Sequence, residues 1–207
     1  HGGKHDIPRT IRAKLIVPPI PRNMHPEHNK GRRVSGARTM SKMFGRNHEA
    51  VFVDAARYQE RHHFVAAVVD HTQQCKSSAP IITRNVETAE EVAIAMAIAH
   101  TYASSVISDS QTAVRNYASG RISPEALRIL NTGKIHEADK YVHILWFPVH
   151  TPLGSPEGSP NEVAHNVARG LAFRVTSDEA ATQTDLSVPV WEWDDRLTKF
   201  NDITQHY

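Results

Sequence analysis

A carboxylate in the middle of an apolar, β-type run constrains this chain more than any other feature. Val51-Phe-Val-Asp-Ala-Ala56 carries β-branched and aromatic residues up to Asp54 and small apolar residues after it. Such a run predicts a strand that is apolar on both faces and sits inside a sheet. A carboxylate there loses its water, at a cost that must be met by a proton or a cation.

Two further acids stand in comparable places. Ser104-Ser-Val-Ile-Ser-Asp109 predicts another strand, ending on Asp109. The spacing from Thr88 to about His100 predicts a helix. Thr88 and Glu91 fit the capping box Thr-x-x-Glu, which gives Glu91 a structural task and leaves its neighbour Glu90 without one. Glu90, Ile94, Ala97 and Ile98 share one face, so Glu90 continues the core-facing stripe from the first turn. Simpler explanations exist for two of the three. Asp109 could cap a helix beginning near Ser110, and Glu90 could be an acid favoured by the helix dipole. Asp54 has no comparable explanation. Carboxylates drawn together repel and raise at least one pKa unless a cation compensates. An all-oxygen donor set favours magnesium or manganese.

The remaining elements follow from local signals. His62 to Val69 predicts a second strand, Asp70-His-Thr-Gln a turn, and Cys75 to Thr83 a third strand weakened by Pro80. Ser110 to Ser119 predicts a helix closed by Gly120. Ser123-Pro124 opens another that ends at Asn131-Thr-Gly133. Tyr141 to Phe147 is the fifth strand, with Trp146 read as core. A Gly/Pro/Ser loop from Val149 to Pro160 has His150 at its head. Ser159-Pro-Asn-Glu162 then caps a last helix that runs to about Arg169, with Val163, Val167 and Leu171 buried and His165 on a neighbouring face. The expected fold class is α/β: a five-stranded mixed sheet, three antiparallel strands then two parallel, flanked by helices.

Charge divides the chain. Residues 1–48 hold eleven Lys/Arg and two acids, a balance of +9; residues 49–207 hold thirteen and twenty, a balance of −7. With Pro18, Pro19, Pro21 and Lys30-Gly-Arg-Arg33, the arm 1–48 reads as a basic, largely irregular linker in which only Ile11–Val17 could form a short element. Its charge suits phosphate, or solvation alone. Residues 49–174 form the domain. Residues 175–207 form a tail, the start of a following segment, expected to end in a helix. No run of 18 apolar residues, no signal peptide and a single cysteine, Cys75, point to an intracellular protein of nucleus or cytoplasm, neither secreted nor in a membrane. A first residue that is not Met points to a piece of a longer polypeptide. The fourteen histidines contain no His-Glu-x-x-His motif, and no zinc site is assigned to them.

In this order and spacing the motifs resemble the ribonuclease H family over roughly residues 49–174. Val-Asp-Ala-Ala (53–56) resembles the motif of its first strand, Thr-Ala-Glu-Glu-Val-Ala-Ile (88–94) that of its helix, and Ser-Asp-Ser-Gln (108–111) that of its fourth strand. Trp-Phe-Pro-Val-His (146–150) resembles the segment that ends in a mobile histidine, and Asn-Glu-Val-Ala-His (161–165) the family's last motif. Asp-Ala-Ala, Ala-Glu-Glu and the ending Phe200-Asn-Asp-Ile-Thr-Gln-His-Tyr207 are similar to the ribonuclease H domain of arthropod non-LTR retrotransposon polyproteins.

The resemblance implies endonucleolytic hydrolysis of the RNA strand of RNA–DNA hybrids by two Mg²⁺ or Mn²⁺ ions. Asp54, Glu90 and Asp109 would hold the ions, with His165 as a fourth ligand. His150 would relay a proton or help release product, and Ala55, Ser110, Gln111 and Asn161 would lie along the nucleic acid. The implied partner is a reverse transcriptase covalently linked in the same polyprotein. Two positions depart from the family pattern: His165 stands for its fourth acid, and Val149 for the glycine before its mobile histidine. They motivate an alternative, a catalytically decayed domain of the same fold that binds nucleic acid or acts as a spacer.

Overall fold

The computed structural model describes residues 3–20, 49–57, 62–72, 74–147, 191–194 and 199–202. In chain order the elements are β1 (His5–Asp6), α1 (Arg9–Arg12), β2 (Leu15–Ile16), β3 (Ala50–Arg57), β4 (His63–Asp70), β5 (Cys75–Ile82), α2 (Val86–His100), β6 (Ser105–Ser108), α3 (Gln111–Ser119), β7 (Arg121–Ile122), α4 (Pro124–Thr132), a 3₁₀ turn at Ile135–Glu137, β8 (Val142–Trp146), β9 (Trp191–Asp194) and β10 (Lys199–Asp202).

The apolar run around Asp54 becomes β3, the middle of the sheet. It pairs antiparallel with β4, Asp54 opposite Ala67, and parallel with β6, Phe52 opposite Ile107. β4 pairs antiparallel with β5, and β6 parallel with β8. The protein is thus α/β with a mixed sheet flanked by helices. The three antiparallel and two parallel strands stand in the order β5-β4-β3-β6-β8, but the sheet has eight strands among the described residues, not five. β2 extends one edge by pairing parallel to β8. β9 and β10, an antiparallel pair, extend the other edge, β9 running parallel to β5. The tail therefore contributes strands at 191–194 and 199–202 where a helix was expected. The alternation in Trp191-Glu-Trp-Asp194 has the period of a strand.

Helix α2 lies between the sheet and the other helices, and every residue from Thr88 to Ile98 is buried. It is therefore apolar nearly all round rather than along a stripe, as a helix enclosed on several sides must be. Its outer side packs on α4. There a Cβ on Gly133 would come within 2.8 Å of the Ala99 Cα, so the close approach depends on glycine. Val53, Phe64, Val68 and Ile81 from the sheet meet Ile94, Met96, Ile129 and Leu130 from the helices in the main core. A smaller cluster of Ala50, Phe52, Val69, Ile107 and Phe147 is separate from it. No helix among the described residues is long and apolar enough to cross a membrane.

The helix start departs from the expected capping box. Asn85 is the N-cap, its side chain accepting the Glu87 amide at 2.9 Å, so α2 begins about one turn before the site that Thr88 would cap. Glu91 has a different task. Its carboxylate is completely buried and accepts from Lys4 Nζ at 2.6 Å, Asn116 Nδ2 at 2.7 Å and the Ser123 amide at 2.7 Å, while the Tyr117 hydroxyl donates to the Glu91 carbonyl at 2.8 Å. One side chain thereby joins α2, α3, the start of α4 and the N-terminal segment.

Of the basic arm 1–48, the structure describes residues 3–20 alone. Residues 3–20 belong to the body: Ile7 and Ile11 enter the main core, β1 pairs with β7, and the Ile7 amide donates to the Gly120 carbonyl at 2.8 Å. Gly120 has φ +76°, the left-handed cap of α3, and Arg12 lies where its Cβ would be. No element of this segment exceeds four residues, so tertiary contacts and not local propensity order it. Replacing Lys4 with Ala should leave a buried anion without its cation. We expect a loss of about 2–4 kcal/mol in urea unfolding of the full chain; a change below about 0.5 kcal/mol, the level of an exposed pair, would show that the Lys4–Glu91 pair does not support the fold.

Candidate metal centre

Three acids from three elements meet at one point. Asp54 comes from within β3, Glu90 from α2 and Asp109 from the residue after β6. A carboxylate oxygen of each lies within 4.8 Å of the others. Parallel pairing of β3 with β6 brings the two aspartates together, because Val53 and Ser108, their preceding neighbours, are register partners. Packing of α2 on β3 and β4 adds Glu90.

The simpler explanations for Glu90 and Asp109 fall away. Asp109 does not cap α3: that task belongs to Ser110, whose hydroxyl accepts the Ala113 amide at 3.2 Å. Glu90 is the fifth residue of α2, beyond the free amides of the first turn. The shift of the helix start to Val86 places it in the second turn.

The electrostatics are those of carboxylates held largely out of water. Asp54 is 2% exposed and Glu90 7%. Burial pushes the Asp54 carboxyl up to about 6, against the pull of its hydrogen bonds, among them the Ala55 amide to Oδ1 at 2.9 Å. Burial, and then the charges of Asp54 and Asp109, push Glu90 well above the usual carboxylate range. Glu90 Oε2 is buried and accepts no hydrogen bond from the described residues. Buried acceptors with no donor are uncommon and call for an explanation. A hard divalent cation fits on each count: the donors are oxygens, they converge, one lacks a partner, and the mutual repulsion would be relieved.

Other expected site residues fall in different places. Ala55 is buried beside Asp54. Ser110 and Gln111 are half-exposed at the start of α3, next to Asp109. His150, Asn161 and His165 lie outside the described residues. One contact escaped sequence reasoning: Trp146, read only as core, donates its indole N–H to the Asp109 carbonyl at 3.0 Å. No local sequence signal announces a pairing across 37 positions; it appears only once β6 and β8 are known to be neighbours.

The raised carboxyls make a signed prediction. Folded Asp54 and Glu90 hold protons more tightly than the unfolded chain does. Their effect on ion-free stability is most favourable below the unfolded carboxylate range and is lost as pH rises through about 6 and beyond. Asp70 and Glu87, whose pKa values are lowered, act oppositely, so the test is a difference. In EDTA at about pH 7.5, Asp54→Asn should be more stable than wild type by roughly 1–3 kcal/mol, and the difference should vanish near about pH 4. A variant less stable at both pH values would contradict the assigned cost of the buried charge. No protein-family model matches this chain, and no curated protein matches it.

Proposed function

We propose that this chain hydrolyses the RNA strand of RNA–DNA hybrids, with Asp54, Glu90 and Asp109 as ligands to Mg²⁺ or Mn²⁺. The observation that carries this reading is the meeting of the three carboxylates within 4.8 Å, two of them buried and one oxygen of Glu90 lacking a donor. The strand order, with its first acid inside the central strand and its third at the end of the parallel neighbour, is consistent with the ribonuclease H-like fold that the motifs suggest.

Divalent ions bound there would supply an activated water and positive charge at the leaving 3′ oxygen. The chain's own residues do the rest. Asp54 is held by the sheet on both sides and by the Ala55 amide, so its carboxylate has little freedom to turn away. Glu90 closes the buried side. Asp109, half-exposed, marks the side from which a phosphate can approach. Ser110 and Gln111, next along the chain, are suited to hydrogen-bonding the 2′-hydroxyls that distinguish RNA from DNA; the reading is then of shape and sugar, with little base specificity. His150, His165 and Asn161 complete the proposal as the proton relay, the fourth ligand and a nucleic-acid contact. A reverse transcriptase in the same polyprotein is the proposed neighbour.

A second reading, binding without cleavage, is favoured by two positions: His165, a nitrogen donor, stands where the resembled family has an acid, which weakens hard-cation binding, and Val149 stands where it has a glycine. The purified full chain separates the two. The proposal expects magnesium-dependent cleavage of the RNA strand of a hybrid, none of duplex DNA, and a loss of about 10³-fold or more in Asp54→Asn, since several kcal/mol of charge stabilisation disappear. Hybrid binding that persists in EDTA with no cleavage would overturn the enzyme and support the binding module. A large gain of cleavage in His165→Asp would locate the deficit in the fourth ligand.

A further inference from the structure

Asp109 stands where the chain leaves the sheet. The Ser108 carbonyl accepts the Phe147 amide at 2.8 Å, and β6 ends there. Helix α3 has not begun, since its cap is Ser110. Asp109 therefore occupies a two-residue step between the strand and the helix. Nearby bonds tighten the step: the Ser110 amide donates to Ser108 Oγ at 3.1 Å, and the Ser110 hydroxyl accepts the Ala113 amide. A further side-chain bond reaches the Asp109 backbone itself: it comes from Trp146, the register partner of Ser108 on β8.

Packing requires the ring of a tryptophan and not its N–H. Here the N–H has a specific task, spanning from one strand to the carbonyl of a residue on its neighbour. We propose that Trp146 is a positioning residue for Asp109: its indole N–H fixes the peptide plane after Asp109 and so restricts the direction in which that carboxylate projects toward Asp54 and Glu90. The inference rests on the metal reading of the acidic cluster. Groups that orient metal ligands in this way commonly govern affinity by 10–100-fold without touching the ion.

The test replaces the N–H while keeping the ring. In the full chain, Trp146 is exchanged for benzothienylalanine, in which sulfur takes the place of the indole N–H, and separately for fluorotryptophan, which retains it; Trp146→Phe is a third variant. Mn²⁺ affinity is measured by calorimetry, and ion-free unfolding is followed in EDTA. The benzothienyl and Phe variants should bind Mn²⁺ about tenfold more weakly, with the fluorotryptophan protein close to wild type. A purely structural role would lower the ion-free unfolding midpoint and leave the affinity of the folded protein unchanged. Wild-type affinity in the benzothienyl variant overturns the positioning role alone. A wild-type chain that binds no Mn²⁺ overturns both this role and the metal reading beneath it.

Discussion

Convergence of three carboxylates at a point largely shut off from water is the constraint on which the rest of this structure depends. Asp54 and Glu90 are nearly out of water and share one point with Asp109. Left to themselves, such groups separate, protonate or take up a cation. Separation is prevented by the fold. Asp54 is fixed by strands on both sides, Glu90 by a helix buried along most of its length, and Asp109 by the end of a parallel strand. The sheet and α2 therefore store an electrostatic cost that a divalent ion would relieve.

The scaffold is held at a second charged point, one residue from the first. Glu91 is buried as deeply as Glu90 but is fully partnered, by Lys4, Asn116 and the Ser123 amide. Adjacent glutamates on one helix thus have opposite roles, decided by what faces them. Glu91 ties α2 to two other helices and to the N-terminal segment. Glu90 has an oxygen that no described donor satisfies. The packing link and the chemical link of this protein meet in those two positions.

The sequence disclosed the parts of this arrangement that rest on local pattern. Asp54 was conspicuous because no local motif explains an acid inside an apolar strand. The five strands from Ala50 to Trp146 follow their β-branched runs, and Gly120, Ser123 and Pro124 act as the cap and stop residues they resemble, while the cap of α3 falls on Ser110 rather than Asp109. What was hidden depends on contacts distant along the chain. Lys4 and Glu91 are 87 positions apart, and their pairing gives order to a segment whose elements are too short to form alone. The same pairing withdrew Glu91 from the expected capping box and left the cap to Asn85. Trp146 read as core because its N–H partner is a backbone carbonyl, which leaves no trace in side-chain pattern.

The central claim is that Asp54, Glu90 and Asp109 form a cation site whose ion-free state keeps protons that the ion must expel. Calorimetric titration of the full chain with Mn²⁺, repeated in two buffers of different ionisation enthalpy near about pH 6.5, measures this directly. The account predicts binding accompanied by release of about one proton or more, because Asp54 titrates at about 6 and Glu90 well above its usual range. Binding with no buffer dependence, or no binding at all, would contradict it.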